Sequence, residues 1–164
     1  MTVPMRKSET LDEFDLKLLE RLQRDALRPV ADLAHEVGLS APACYRRIRR
    51  LREIGAIARQ VAVVRPRTLG WPLSMIVMVE LERENAHTVD EMMRVLAAVP
   101  EVIEAWNVTG DHDFAVHMVA RDMERYDELG RRLFAADERV RSFKTLVVIR
   151  QAKEASPIPV AWED

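Results

Sequence analysis

The apolar positions of this chain change period near residue 70. Before that point they recur every three or four residues, as on helices; after it, short alternating runs are separated by helical ones. Residues 11–24 place Leu11, Phe14, Leu18, Leu19 and Leu22 on one stripe. Asp12 and Asp15 stand at its start, where acids complement a helix dipole. A break at Arg28-Pro29 follows, and residues 30–37 predict a short helix with Val30, Leu33, Ala34 and Val37 inward. Gly38-Leu39-Ser40 is a tight turn. The stretch SAPACYRRIRRLREIGAI, residues 40–57, then predicts a third helix. Ser40 serves as N-cap, Pro42 sits in the first turn where its missing N–H costs nothing, and Gly55 is the stop. Cys44, Ile48 and Leu51 line its inward face. Two helices, a three-residue turn with glycine and another helix make the pattern of a helix-turn-helix DNA reader. Residues 57–64 alternate and are β-branched, which predicts a strand, either a wing or the strand leading out of this head.

The segment RPRTLGWP, residues 65–72, is punctuated by two prolines and a glycine and reads as a linker. Beyond it the pattern predicts strands at 73–81, 101–109, 113–120 and 140–150, with helices at 88–98 and 122–135. Val89, Met92, Met93 and Leu96 face inward on the first of these helices; Met123, Tyr126, Leu129, Leu133 and Phe134 do so on the second. The order β-α-β-β-α-β is the ferredoxin-like arrangement. The expected fold class is therefore α+β: a winged helix-turn-helix head over residues 1–62, a linker at 63–72, a ferredoxin-like domain at 73–152 and a tail at 153–164. The strands are apolar on both sides. In the first, Leu73, Met75, Val77 and Val79 oppose Ile76 and Met78; in the last, Leu146 and Val148 oppose Phe143, Val147 and Ile149. Two helices cover only one face, and a bare apolar face predicts a homodimer packed sheet to sheet. Two-fold symmetry would present two heads to a palindrome-like site.

Charge changes the picture next. Residues 1–70 carry 14 Lys and Arg against 9 Asp and Glu, net +5; residues 71–164 carry 11 against 18, net −7, which together give the overall −2. A near-neutral total hides a basic head, and basic heads gain affinity for phosphate by counterion release. Arg46, Arg47, Arg49, Arg50 and Arg52 crowd the third helix, with Glu53 its only acid. Such a face is either a solvated surface or a DNA reader; the helical frame around it favours the reader. Ser40, Ala43, Tyr45, Arg46, Arg47, Arg49 and Arg50 are the candidate contacts to double-stranded DNA, arginine pairing with phosphate and with guanine edges.

Other chemistry is sparse. The single cysteine excludes an intramolecular disulfide, and Cys44 on the inward stripe reads as a small core residue. Its burden of one thiol fits a reducing cytoplasm, the expected location. The opening MTVPMRKSET has no apolar signal core, and no apolar run is long enough to span a bilayer. His35, His87, His112 and His117 show no metal-ligand spacing, and no nucleophile elbow or phosphate-cradling loop appears, so no cofactor, metal or catalytic residue is assigned. Met75, Met78, Met92 and Met93 read as core fill, and His117 as a satisfied or interface histidine. Trp106 is a core anchor or a pocket wall; Trp71 packs the hinge.

Three stretches carry a resemblance: LDEFDLKLLERLQRDAL, VGLSAPACYRRIRRLREIGAI and VTGDHDFAVHMVARDMERYDEL. On them the chain resembles the leucine-responsive regulatory protein/AsnC (Lrp/AsnC) family over roughly residues 11–149. That resemblance implies a sequence-specific transcriptional regulator with a ligand-binding (RAM-type) distal domain. It implies dimers that can assemble into tetramers, octamers or larger, and a small-molecule effector, typically an amino acid, held between subunits. The glycine-aspartate turn of the family matches Thr109, Gly110, Asp111, His112, Asp113 and Phe114, which become the candidate effector loop. Free N–H groups there could hold a carboxylate, and Asp111 or Asp113 an ammonium; the alternative is a plain β-turn. His112 departs from the family's usual small, acidic or aromatic residue. A second resemblance stays open: sirohaem decarboxylases share this two-domain architecture. Their second distal strand carries a His-Asn-Tyr run where this chain has VIEAWNVTG, and their reading helix is less basic.

Overall fold

In the computed structural model, which describes residues 10–154 and 157–160, helix α1 (Glu13–Arg24) opens on a reciprocal cap. The Asp15 N–H donates to the Asp12 carboxylate at 2.9 Å, and the Asp12 N–H donates back to Asp15 at 3.3 Å. Helix α2 (Val30–Val37) ends at Gly38, whose φ of +74° allows the chain to turn within two residues. Helix α3 (Ala41–Glu53) starts where the Ser40 hydroxyl accepts the Ala43 N–H at 3.4 Å. Leu18, Leu33, Ala34, Val37, Cys44, Ile48 and Leu51 close on one another as the core of the head. Each large aliphatic side chain buried there stabilises it by about 2 kcal/mol.

The chain divides into two compact units, one of Met1–Ala62 with Lys153–Asp164 and one of Val63–Ala152. The tail segment thus belongs with the head. Of the regions read from sequence, residues 1–9, 155, 156 and 161–164 lie outside the described part.

The second unit is a four-stranded antiparallel sheet in the order β2-β3-β1-β4. Its strands are β1 (Leu73–Leu81), β2 (Val102–Asn107), β3 (Phe114–Ala120) and β4 (Val140–Val147). Helix α4 (Ala86–Ala97), capped by the Asn85 side chain on the Thr88 N–H, and helix α5 (Met123–Gly130), capped by Asp122, pack with it. Met75, Val77, Val79, Phe114, Val116 and Met118 face the helices and meet Met92, Leu96, Tyr126, Leu129 and Phe134. Met78 is only half-buried and Met93 is exposed, so two of the four methionines assigned to the core do not fill it.

Several expectations need correcting. Residues 57–64 form no strand in the described chain, and Val61, Val63 and Val64 are exposed. Alternation supplies side chains for a strand, but without a neighbouring edge to bond with no ladder forms. No wing is therefore built from this segment. The linker holds a short 3-10 turn, Pro66–Leu69, closed by Gly70 at φ +82°. The helix predicted at 122–135 is α5 followed by a π turn, Arg131–Ala135. Leu133 and Phe134 on this turn are buried in the core, while Met123 stays exposed. His87 lies inside α4 rather than before it.

Candidate nucleic-acid interface and effector loop

The inward stripe of α1 carries one acid among its leucines. Asp15 is 1% exposed and sits opposite the arginines of α3. Arg47 Nη1 donates to Asp15 Oδ1 at 2.8 Å and to Asp12 Oδ2 at 2.7 Å; Arg50 Nη1 donates to Asp15 Oδ2 at 2.9 Å. The Arg47 guanidinium also lies 5.4 Å from the centroid of the Phe14 ring. With the Asp12 N–H on the same carboxylate, both oxygens of Asp15 are satisfied. Burial alone would push the Asp12 pKa up; the hydrogen bonds from the Asp15 N–H and the Arg47 guanidinium outweigh it and hold the carboxyl below its ordinary range. Asp15 and Asp12, in turn, raise the pKa of Arg47.

This clamp divides the predicted DNA contacts into two sets. Arg47 and Arg50 are half-buried and tied to α1, so they set the placement of α3 on the head. Tyr45, 61% exposed, and Arg46 and Arg49 face outward with Ser40. Arg49 Nε pairs with Glu53 at 2.8 Å in solvent, a contact easily exchanged for a phosphate. Among the described residues Arg46 has no acid partner. Ala43 is half-buried. Arg52, not among the predicted contacts, reaches Gln60 Oε1 at 2.7 Å. Cys44 is buried in the head core, and burial pushes its thiol pKa up, which suits packing rather than reactivity.

In the second unit, the loop between β2 and β3 lines an open cavity of about 380 Å³ with Glu84, Asn107, Val108, Thr109, Gly110 and Asp113. Gly110 has φ +126°, a conformation that side chains other than hydrogen rarely adopt. The loop is pinned at its base: Val108 N–H donates to Asp113 O at 2.9 Å, and Asp113 N–H to Val79 O at 2.9 Å. The Asp113 carboxylate accepts the Leu81 N–H at 2.6 Å, and Asn107 Nδ2 donates to Asp113 O at 2.9 Å. Asp113 is thus a latch rather than a free anion, and Phe114, fully buried, belongs to the sheet core. Asp111 is exposed; His112 is half-buried and does not line the cavity. Among the described residues the N–H groups of Thr109, Gly110, Asp111 and His112 donate to no protein acceptor. Glu84 and Asn107 escaped the sequence reading, because they flank the motif rather than lie in it.

The sheet face away from α4 and α5 carries Ile76, Met78, Ala115, Trp106 and Leu146, and no element of this unit covers it. Trp106, 45% exposed, is neither a core anchor nor part of the loop cavity. A polar group stands in this apolar field: Ser74 Oγ lies 2.8 Å from His117 Nε2, and Glu104 Oε2 lies 3.6 Å from His117 Nδ1. Elsewhere Arg121 stacks 5.1 Å above the Trp71 ring, at a cavity of about 400 Å³ that shares no residue with the loop. Among the described residues no three His, Cys, Asp or Glu side chains form a metal-binding group, and no helix is long and apolar enough to cross a membrane.

Known proteins match both units. The Lrp/AsnC ligand binding domain matches residues 74–158, and the AsnC-type helix-turn-helix domain matches residues 11–52. An uncharacterized HTH-type transcriptional regulator of Sinorhizobium fredii is 41% identical over 150 residues, covering 92% of this chain and 89% of its own. The leucine-responsive regulatory protein of Rhizobium meliloti is 34% identical over 150 residues, 92% of this chain and 96% of its own. Among solved structures, an AsnC family transcriptional regulator from Agrobacterium tumefaciens superposes with a TM-score of 0.82 at 32% identity, covering 91% of this chain and 97% of that one.

Proposed function

The chain belongs to the Lrp/AsnC family of transcriptional regulators, and from that premise we propose that α3 reads DNA through Ser40, Tyr45, Arg46 and Arg49, with Arg47 and Arg50 holding it in place. The observation that carries this division is the buried Asp15 between the two inner arginines, beside an outer face whose Arg46 has no acid partner among the described residues. The outer arginines supply phosphate contacts and guanine recognition, while the inner pair fixes the angle at which α3 enters a major groove. Ala43, half-buried at the start of α3, makes an apolar contact with a base edge if the helix inserts N-terminus first.

The distal domain binds a small effector at the loop 109–113 and dimerises through its open sheet face. The free N–H groups around Gly110 suit a carboxylate, Asp111 supplies an exposed anion for an ammonium, and together they suit an amino acid. Phe114 acts only by holding β3. Relatives named as regulators support a non-enzymatic role, and the sirohaem decarboxylase alternative gains nothing from them. Site of action is the cytoplasm, where the DNA is.

The test is fluorescence anisotropy on a duplex carrying the binding site. Arg46→Ala and Arg49→Ala are each expected to weaken binding and to lower the slope of log affinity against log salt by about 1. If neither variant moves the slope, this face of α3 does not touch DNA.

A further inference from the structure

The tail reads SPIPV at residues 156–160, and its prolines restrict what its backbone can offer. Between Pro157 and Pro159 the only N–H belongs to Ile158, since proline has none. A residue that precedes proline is confined to extended conformations, which applies to Ile158. The segment is therefore a short stiff strip with one donor and one acceptor at its centre. Gln23, on α1, meets both. The Ile158 N–H donates to Gln23 Oε1 at 2.7 Å, and Gln23 Nε2 donates to the Ile158 carbonyl at 3.2 Å. A primary amide pairing with both groups of one residue imitates a neighbouring strand.

The surface beside it is largely apolar. Leu16, Leu19 and Leu22 of α1, with Ile57 and Val61 beyond α3, line an open groove of about 700 Å³, and Ile158, Pro159 and Val160 form one side of it, the Ile158 side chain being 76% exposed. Its far wall is fixed from within the head: Gln60 Nε2 donates to the Ala26 carbonyl at 3.4 Å while its oxygen accepts Arg52 at 2.7 Å. Without the tail along its edge, more of these side chains would lie open as an apolar patch on a basic head.

We propose that this groove is the docking site of the chain's own C-terminal segment, residues 157–160, gripped through Gln23. Preset proline dihedrals lower the entropy lost on docking. The chain consequently returns to the head after the distal unit, and the head is tethered twice. Since α1 carries both Gln23 and the Asp12–Asp15 clamp on Arg47 and Arg50, the docked tail braces the helix that positions α3. That last consequence rests on the DNA reading above; the docking itself does not.

Amide hydrogen exchange tests docking directly. In the intact protein the Ile158 N–H should exchange at least about tenfold more slowly than in a free peptide of residues 153–164. Gln23→Ala should return it to the peptide rate. A chain ending at Ala152 should bind several-fold more of a hydrophobic dye, and the added peptide should reverse this. An Ile158 amide that exchanges at the peptide rate in the intact protein overturns the proposal, as does unchanged dye binding. To identify whose groove is used, isotope-labelled Gln23→Ala protein is mixed with unlabelled wild type. Absence of renewed protection on the labelled tail supports docking within one chain; its return means that the tail seats on a neighbouring copy and overturns the assignment. Weaker DNA binding by the truncated chain, with protection intact in the full chain, would extend the proposal to bracing. Unchanged DNA binding would remove the bracing alone.

Discussion

Asp15 shows what one residue decides in this head. It is a buried carboxylate with two guanidinium partners and a backbone N–H, so removing its charge takes away the one carboxylate that Arg47 and Arg50 share. Asp15→Asn should lower the unfolding free energy of the head by about 2 kcal/mol, the scale of a lost charged hydrogen-bond set. Arg49→Ala should change it by less than about 0.5 kcal/mol, because the Arg49–Glu53 pair is solvated. Urea denaturation followed by circular dichroism checks both, and equal effects would show that the clamp has no structural weight. The sequence held a signal for this residue. Asp15 falls on the same helical stripe as Leu11, Leu18 and Leu22, so it points inward; reading it only as an N-terminal acid missed the partner that a buried acid requires. The arginine face was legible in composition, but which arginines are inward was not, since that depends on how α1 and α3 cross.

At the scale of elements, periodicity placed β1 at its observed bounds and α2 likewise, because both have sharp punctuation: Pro72 before the strand, Pro29 and Gly38 around the helix. It failed where the determinant was non-local. The segment 57–64 has strand-like alternation and no strand partner, and the switch from α5 to a π turn at Arg131–Ala135 leaves no mark in the apolar period. The turn leading into β4 rests on an ion pair. The Arg139 guanidinium beside Asp137, with Nε 2.8 Å from the carboxylate, holds that carboxyl below the usual range, and Arg47 helps to do the same at Asp12. Both native pKa values lie below those of the unfolded chain, so their contribution is complete above about pH 4 and is lost as pH falls through the native values. Calorimetry should therefore show a melting temperature nearly constant from about pH 7 to 5 and falling below about pH 4. Asp137→Asn should melt lower at neutral pH and lose less on acidification; identical acid slopes would contradict this assignment.

For the whole molecule, the basic head and acidic distal domain remain the most legible feature, because net charge needs no geometry. The open sheet face was legible too, as apolar residues on both sides of β1. Its polar centre at Ser74, His117 and Glu104 was not, since those residues meet only through strand register. Leu146, 46% exposed on that face, is the position to disturb. Leu146→Glu should convert the protein to monomer in sedimentation at low micromolar concentration while leaving its far-ultraviolet dichroism unchanged; wild type that already sediments as a monomer would remove the sheet-to-sheet dimer. The central claim is a DNA reader whose affinity responds to an effector in the distal domain. It is tested most directly by titrating the protein on the duplex upstream of its own gene and on a scrambled duplex, over a range of salt, with and without each of the twenty amino acids. The account predicts salt-steep binding that prefers the upstream duplex and shifts with at least one amino acid. Equal binding to both duplexes, with no response to any amino acid, would contradict it.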